Sequence, residues 1–372
     1  MIACGKDAYL GGNITVSPLT FLEKTSIDSI VVLELSSWQL SDLRGRKALK
    51  PSISIITKIV PDHQNWYGNM ESYVEDKKLI YADQDESDYT ILDFDMDDYL
   101  SDCENPKEGI TRWGELFASE TKGKVLRYSK GKLPANVEGC YQNKDKDGNV
   151  TGIARINGSE SVIMESLKVP GPHMKINCLN ACLCLKLLGI EDEKIIGAMS
   201  SWNGIEHRLE HFHSWNSSSD NRNVNFYNDS CATVPEAAAA AVLSFDESTV
   251  LITGGTDKGL EFDVLAKTLA DSSNKNLPKE IYLLAGTGTD KLVKLLDKEN
   301  VKYEGPFDSL EILLKVLKNS LESENAKAVY GIAKQNGSLN VIFSPGATSF
   351  GMFTNEFDRG RKFKNYTKEI FN

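Results

Sequence analysis

The sequence predicts an α/β protein of two domains, the first a mainly parallel sheet with small β-hairpin additions, the second Rossmann-like. Short β-branched runs alternate with stretches of helical apolar spacing, the rhythm of strand–helix–strand units. Strands of the second half run straight into glycine turns, as in STVLITGG (248–255) and NVIFSPG (340–346), which is how a parallel strand passes to its helix. A length of 372 residues favours two cores over one, with domains expected at 1–205 and 206–372, joined near 204–210.

In chain order, SIVVLEL (29–35) and SISIITKIV (52–60) read as buried strands. A helix is expected over 70–83. Its apolar positions Met70, Tyr73, Val74, Ile80 and Tyr81 form one stripe, and at about 100° per residue Lys77 sits at the stripe's centre. Lys78 points to one side and Leu79 lies opposite. DYTILDF (88–94) is a strand, and the acidic, turn-rich DMDDYLSDCENPKEG (95–109) a surface loop. GKVLRYS (123–129) is a short strand, and GCYQNKDKDGNVTGIARI (139–156) a hairpin around Asp147-Gly148. Helices follow at 176–188, stopped by Gly189, and near 192–200.

After a serine- and asparagine-rich loop at 214–223 the alternation restarts. VNFYNDS (224–230) is a strand, and TVPEAAAAAVLSF (233–245) a helix opened by a Thr233–Glu236 capping box. STVLITGG, EIYLLAG (280–286) and NVIFSPG are strands, separated by helices at 262–273, 290–299 and 309–322.

Composition narrows the function. The net charge is −11 and no block of lysine and arginine occurs, so neither nucleic acid nor an anionic membrane surface is an expected partner. No apolar run approaches the roughly 18 residues of a membrane span, and MIACGKDAYLGGN carries neither part of a signal peptide. The expected compartment is the cytoplasm and the expected state a monomer. Seven cysteines, three of them in NCLNACLCLKLL (177–188), fit no common zinc spacing and read as small buried hydrophobes.

Ligands of open α/β sheets bind at the C-terminal ends of strands, and polar groups gather there. Glu34 follows VVL, His63 follows SISIITKIVPD and Asp229 follows VNFYN; Thr256-Asp257-Lys258 follow VLITGG, and 344–349 (SPGATS) follow NVIF. Each alone has a plain structural reading, since a GGT turn often only joins strand to helix and a histidine after a strand often only satisfies its neighbours.

Taken together and in order, GGNI (11–14), ELSSWQL (34–40), DH…Y…K (62–77), GPHMKIN (171–177), GIEHRLE (204–210), NDSCAT (228–233), GGTDKG (254–259) and SPGATSF…NEFDRG (344–360) resemble the Mur ligases of peptidoglycan synthesis. ELSS-aromatic-QL and NDS-x-AT are most similar to the branch that adds D-glutamate to UDP-N-acetylmuramoyl-L-alanine. The resemblance implies a central ATPase domain followed by a Rossmann-like amino-acid-binding domain. It implies ATP-dependent phosphorylation of a carboxylate and attack by the amino group of glutamate on the acyl phosphate. Glu34 and His63 then match magnesium ligands, and Lys77 the lysine that carries a carbamate. Asn177, Arg208 and Asp229 match residues that hold the nucleotide. Asn13 and Ser36 fall beside the muramoyl substrate, and Thr233, Lys258 and Ser349 match the pocket for the incoming glutamate.

Simpler roles stand beside these. Lys77 is also readable as a snorkelling lysine, Arg208 as an interdomain ion pair, and Ser36 and Ser37 as helix caps. Trp38 and Trp66 read as packing residues and His173 as structural. Three positions depart from the family pattern: Cys231 stands where lysine is usual, Met174 where asparagine is usual, and Glu356 where an aromatic is usual, with Phe357 next to it. No stretch reads GxxxxGK[ST], so the resemblance implies a chain without the phosphate-binding loop and the preceding uridine-binding domain. Such a chain is expected to have an exposed strand edge and little ligase activity by itself. The competing readings are another Mur or folylpolyglutamate-type ligase and a non-catalytic ligand-binding module.

Overall fold

The computed structural model describes the chain except for residues 15, 60–62, 96–102, 147–148, 246–247 and 331–337. Backbone contacts divide it into two compact units, 1–167 with 175–201, and 168–174 with 202–372.

The sheet of the first unit runs β3 (Ile53–Ile56), β4 (Tyr89–Asp93), β5 (Lys124–Ser129), β6 (Gly139–Lys144), β7 (Val150–Ile156) and β8 (Ser159–Met164). Strands β3 to β6 are parallel, and β6–β7–β8 form an antiparallel meander. The expected hairpin is therefore present, while its turn, Asp147-Gly148, lies outside the described residues. Of the expected loop at 95–109, residues 96–102 lie outside them too, and the rest carry no helix or strand. Gly152 has no side chain because Leu179, on the long helix α5 (Pro172–Leu187), sits where a Cβ would be, 2.6 Å away. Cys178, Cys182 and Cys184 are buried along that helix, and burial pushes the Cys182 and Cys184 thiols up to about 12. They pack as small hydrophobes.

Helices α1 (Ser37–Asp42), α2 (Gln64–Tyr67), α3 (Met70–Lys77) and α4 (Trp113–Glu120) belong to the same unit. Met70, Tyr73, Val74 and Tyr81 join Ile56, Leu92, Trp113 and Phe117 in one core, so the stripe read from the sequence is the buried one. Lys78, to the side of the stripe, is held by two carboxylates. Its ammonium bridges Glu75 and Glu120 at 2.5 and 2.9 Å, with only 14% of its side chain exposed. α1 begins with a capping box in which the Ser36 Oγ accepts from the Gln39 N–H and the Gln39 side chain accepts from the Ser36 N–H. Replacing Ser36 with alanine should cost about 1 kcal/mol of stability, measured by denaturant unfolding.

Strands β1 (Ala8–Gly12) and β2 (Ile30–Glu34) form a separate parallel pair. The sequence expects β2 to be buried, yet Leu10, Val31 and Val32 are 57%, 44% and 37% exposed. Parallel strands of this composition are ordinarily covered on both faces; these side chains are not.

The second unit carries the sheet order β13 (Glu304–Phe307), β12 (Glu280–Leu284), β11 (Thr249–Thr253), β14 (Ser338–Phe343), β10 (Asn223–Asn228), β9 (Glu210–Asn216), all parallel except β9. Alternation divides the core. Val250 and Ile252 face Leu313, Leu314 and Leu317 of α10 (Leu310–Glu322) and Phe363 of α12 (Glu356–Ile370). Leu251 faces Ala238 of α7 (Pro235–Val242), Leu265 of α8 (Asp263–Ala270) and Leu292 of α9 (Thr287–Lys298). Because β14 returns between β10 and β11, the strand order reverses there, and the crevice at these C-terminal ends is where a doubly wound sheet takes ligands.

Two local expectations fail. EHFHSWN at 210–216, read partly as loop, is the antiparallel edge strand β9. Thr233 caps nothing; α7 starts from Val234 with Pro235 in its first turn, so the capping box does not form.

Candidate functional site

In the first unit the site is built around Tyr73. The His63 ring stands edge-on to it at 6.3 Å, and the Lys77 Nζ lies over its face at 4.8 Å. His63, with φ +54, packs at a tilt of 48° against Trp38, ring centroids 4.4 Å apart. Its neighbour Asp62 lies outside the described residues. Tyr67 packs on Tyr73, and its hydroxyl donates at 2.9 Å to the buried carboxylate of Asp76, which also pairs with Arg44. The last turn of α3 is thus fastened on two sides of Lys77.

Glu34 ends β2, exposed, and its carbonyl accepts the Asn13 N–H at 2.7 Å. Gly12, at φ +106, permits that approach: a Cβ there would lie 2.0 Å from the Glu34 carbonyl oxygen. The GGN signature is therefore a backbone requirement of the β1–β2 pair. Ser36 spends its hydroxyl on the helix cap, and Asn177 is exposed on α5. Trp38 and Trp66 are 43% and 72% exposed, so they rim this cluster rather than pack a core.

Glu34 offers a carboxylate and His63 an imidazole, donor types that a magnesium ion keeping most of its water accepts. Lys77 would become an oxygen donor only as a carbamate.

In the second unit three loops at the strand ends are stitched together. The Asp229 N–H donates to the Phe343 carbonyl, and the Gly346 N–H to Ala232, both at 2.9 Å. Thr256 and Thr348 exchange backbone hydrogen bonds at 3.2 and 3.0 Å. Gly255 is indispensable to that junction, since at φ +147 a Cβ would meet the Thr348 carbonyl at 2.7 Å. Lys258 extends exposed from the second loop, Ser349 is buried in the third, and Thr233 is half-buried beside the first. Asp257 organises its own loop, accepting from the Gly259 and Leu260 N–H groups and pairing with Lys291 at 2.7 Å.

Asp229 is nearly enclosed. Its carboxylate accepts from the Ser344 Oγ at 2.7 Å and the Leu209 N–H at 3.2 Å. Burial nevertheless pushes its pKa up to about 6, against these bonds and the nearby Arg208 and Arg359 charges. Arg208 itself is exposed. Met174 is buried, Cys231 half-buried with its thiol raised by burial, and Phe357 packs edge-on to His207 at 5.7 Å. Glu356 turns its carbonyl to the Ser230 hydroxyl at 2.6 Å.

Two features were not anticipated. Glu206, His207 and Glu210 converge, but Lys364 already supplies the cation, 2.6 Å from Glu206 and 3.0 Å from Glu210. Arg359, 1% exposed, reaches from α12 to both the Ser230 and Ala347 carbonyls. Its position four residues before Phe363 on the buried stripe of α12 was the available signal.

Residues 12–185 match the family described as the Mur ligase middle domain. The chain is 34% identical to the UDP-N-acetylmuramoylalanine–D-glutamate ligase of Treponema pallidum (strain Nichols), over 99% of this chain and 74% of that protein. The ligase of the same name from Borreliella afzelii (strain PKo) is 34% identical over 95% and 67%. Among solved structures, MurF from Acinetobacter baumannii matches with a TM-score of 0.61 over 98% of this chain and 71% of its own, at 13% identity. MurF ligase from Thermotoga maritima in complex with ADP matches with 0.58 over 98% and 73%, at 12%. At those identities the structural likeness speaks for the fold alone. The curated relatives are longer, this chain spanning 67–74% of their length. At 34% identity the match covers nearly the whole chain, and on that ground the chain belongs to the Mur ligases, in the branch of the UDP-N-acetylmuramoylalanine–D-glutamate ligases.

Proposed function

We propose that the chain supplies the central and amino-acid-binding parts of an ATP-dependent ligase that joins D-glutamate to UDP-N-acetylmuramoyl-L-alanine in cytoplasmic peptidoglycan precursor synthesis. The observation that carries this reading is the stitching of the three loops that bear Thr233, Lys258 and Ser349 at one end of one sheet. A dicarboxylic amino acid needs a cation and hydroxyl donors held at fixed positions, and this end of the second unit supplies both types.

The remaining roles follow from residue chemistry. Glu34 and His63 would hold magnesium beside Lys77, whose carbamate oxygens would orient it. Bound there, the metal supplies charge neutralisation for phosphoryl transfer between two anions. Asp229 and Arg208 are assigned to the nucleotide, as is Asn177, and Asn13 with Ser36 flanks the muramoyl substrate. Neutral glutamate amine attacks the acyl phosphate, the carbon–nitrogen bond forms, and phosphate leaves. Among the described residues no helix is long and apolar enough to cross a membrane.

Calorimetric titration with D-glutamate tests the reading on the 372-residue chain directly. Binding is expected. Lys258→Ala should weaken it about ten- to a hundredfold, the worth of one charge-assisted hydrogen bond. Preference for a different amino acid would overturn the choice of glutamate.

A further inference from the structure

Arg359 is the most enclosed cation among the described residues, at 1% exposure. Its three hydrogen bonds go to neutral oxygens: Nε to the Ser230 hydroxyl at 3.1 Å, Nη2 to the Ser230 carbonyl at 2.8 Å, and Nη1 to the Ala347 carbonyl at 2.9 Å. Arg127, also buried, donates to the Gly114 carbonyl at 2.6 Å, and two further buried arginines are paired. Arg155 pairs with Glu160 and Arg222 with Asp220, at 2.5 and 2.7 Å. Asp229 and Glu356 lie close enough to act on Arg359 through space, yet among the described residues no carboxylate reaches ion-pair distance of its guanidinium.

A buried guanidinium without a paired carboxylate is expensive, and neutral carbonyls offset only part of its lost hydration. Of its five N–H groups three are used, which leaves two N–H groups and most of the field for something anionic. The group also lines a small cavity with Gly254, Gly255, Thr348 and Ser349. A Cβ added to Gly255 would stand 3.6 Å from Nη1, so the bare glycine opens that face.

We propose that Arg359 is a specificity-determining positioning residue, which clamps the loops at 228–233 and 344–349 and whose charge draws the side-chain carboxylate of the incoming amino acid toward the cavity over Gly255. This rests on the reading that the second unit takes glutamate. It adds the origin of the preference for an acidic over a neutral amino acid, which the clamp alone would not give. Lys258, exposed, captures the ligand; Arg359, held by three hydrogen bonds, measures its charge.

The test compares D-glutamate with D-glutamine, which differ by one charge at nearly constant shape, by calorimetry on the wild-type chain, Arg359→Gln and Ser230→Ala. The wild type should prefer glutamate roughly tenfold or more, and Arg359→Gln should bring the ratio to within about threefold. Ser230→Ala loosens the clamp but keeps the charge, so it should weaken both ligands and preserve the ratio. An unchanged ratio in Arg359→Gln would mean the arginine is scaffold alone. Should that variant fail to fold, the Arg359 side-chain N–H resonances of labelled wild-type protein decide: they should shift with D-glutamate and not with D-glutamine, and a null response to bound glutamate overturns the proposal. A wild-type chain that binds neither amino acid removes the glutamate reading and this inference together; binding with an unmoved ratio removes the inference alone.

Discussion

Alanine in place of Lys77 is expected to abolish uptake of isotopically labelled carbon dioxide by this chain. In a full-length ligase carrying these residues it should slow amide formation by roughly three orders of magnitude, the scale of about 4 kcal/mol lost from an electrostatically stabilised transition state. The argument starts from position. Lys77 lies on the face of α3 that buries Met70, Tyr73 and Val74, its stem packs there, and its amine is held over the Tyr73 ring. His63 stands against the edge of the same ring. Under the proposed assignment of magnesium to His63 and Glu34, an ammonium at Lys77 would repel the ion, whereas a carbamate reverses the sign of the charge and adds two oxygens. The fold should be indifferent to the change, because Asp76, bonded to Tyr67 and paired with Arg44, holds this turn of α3 without Lys77. A short-chain carboxylic acid should restore part of the rate by placing a carboxylate in the vacated space, and bicarbonate should not. Full activity of Lys77→Ala without any additive would reduce the lysine to a packing residue.

The rule that singles out Lys77 also describes Arg359, and comparing them shows how far the sequence was legible. Both are cations on the buried stripe of a helix, Lys77 among Tyr73, Val74 and Tyr81, Arg359 ahead of Phe363 and Thr367. Lys77 is found from sequence because its stripe is strongly apolar. The stripe of α12 is interrupted by Gly360 and Thr367, so its phase is weak. Strands β10, β11, β12 and β14 were legible because fully buried parallel strands need continuous β-branched and aromatic runs. Strand β9 was not, since EHFHSWN earns its place at the edge by pairing with β10 rather than by its own composition. The ion pair of Lys78 was not legible from the phase of its helix, because its partner Glu120 lies on α4, some forty residues away in sequence. Trp38 and Trp66 looked like core for the opposite reason: apolar bulk does not announce whether a site or a core will use it. The conformations of Gly12 and Gly255 were implicit in their identity, but what they approach, the Glu34 and Thr348 carbonyls, is set by the sheet.

Asp229→Asn should make the protein more stable at neutral pH while weakening its hold on nucleotide. The carboxyl's pKa is raised to about 6 from an ordinary 3.8, chiefly by burial. A raised acid pKa means that the folded chain binds this proton more tightly than the unfolded chain does. The residue's contribution to stability therefore improves as pH falls from above 6 toward 4, and above 6 the ionised group is a net cost. A shift of about two units corresponds to roughly 3 kcal/mol at pH 7.5. Asparagine removes that cost but accepts through one oxygen only, so one of the bonds from Ser344 and Leu209 is weakened, at about 1 kcal/mol. The net expectation is a gain of about 1–3 kcal/mol at pH 7.5, shrinking to zero or turning negative near pH 4, read from denaturant unfolding at the two pH values. A variant that is less stable at pH 7.5, with a pH profile parallel to wild type, would show that the carboxylate is stabilising as it stands. If the gain is seen, it separates two kinds of buried polar group in this unit. The Arg222–Asp220 pair neutralises itself and serves the fold. Asp229 and Arg359 each remain charged at the same crevice without pairing with the other, and a fold that keeps both in that condition is holding them for ligands that bring the missing charges.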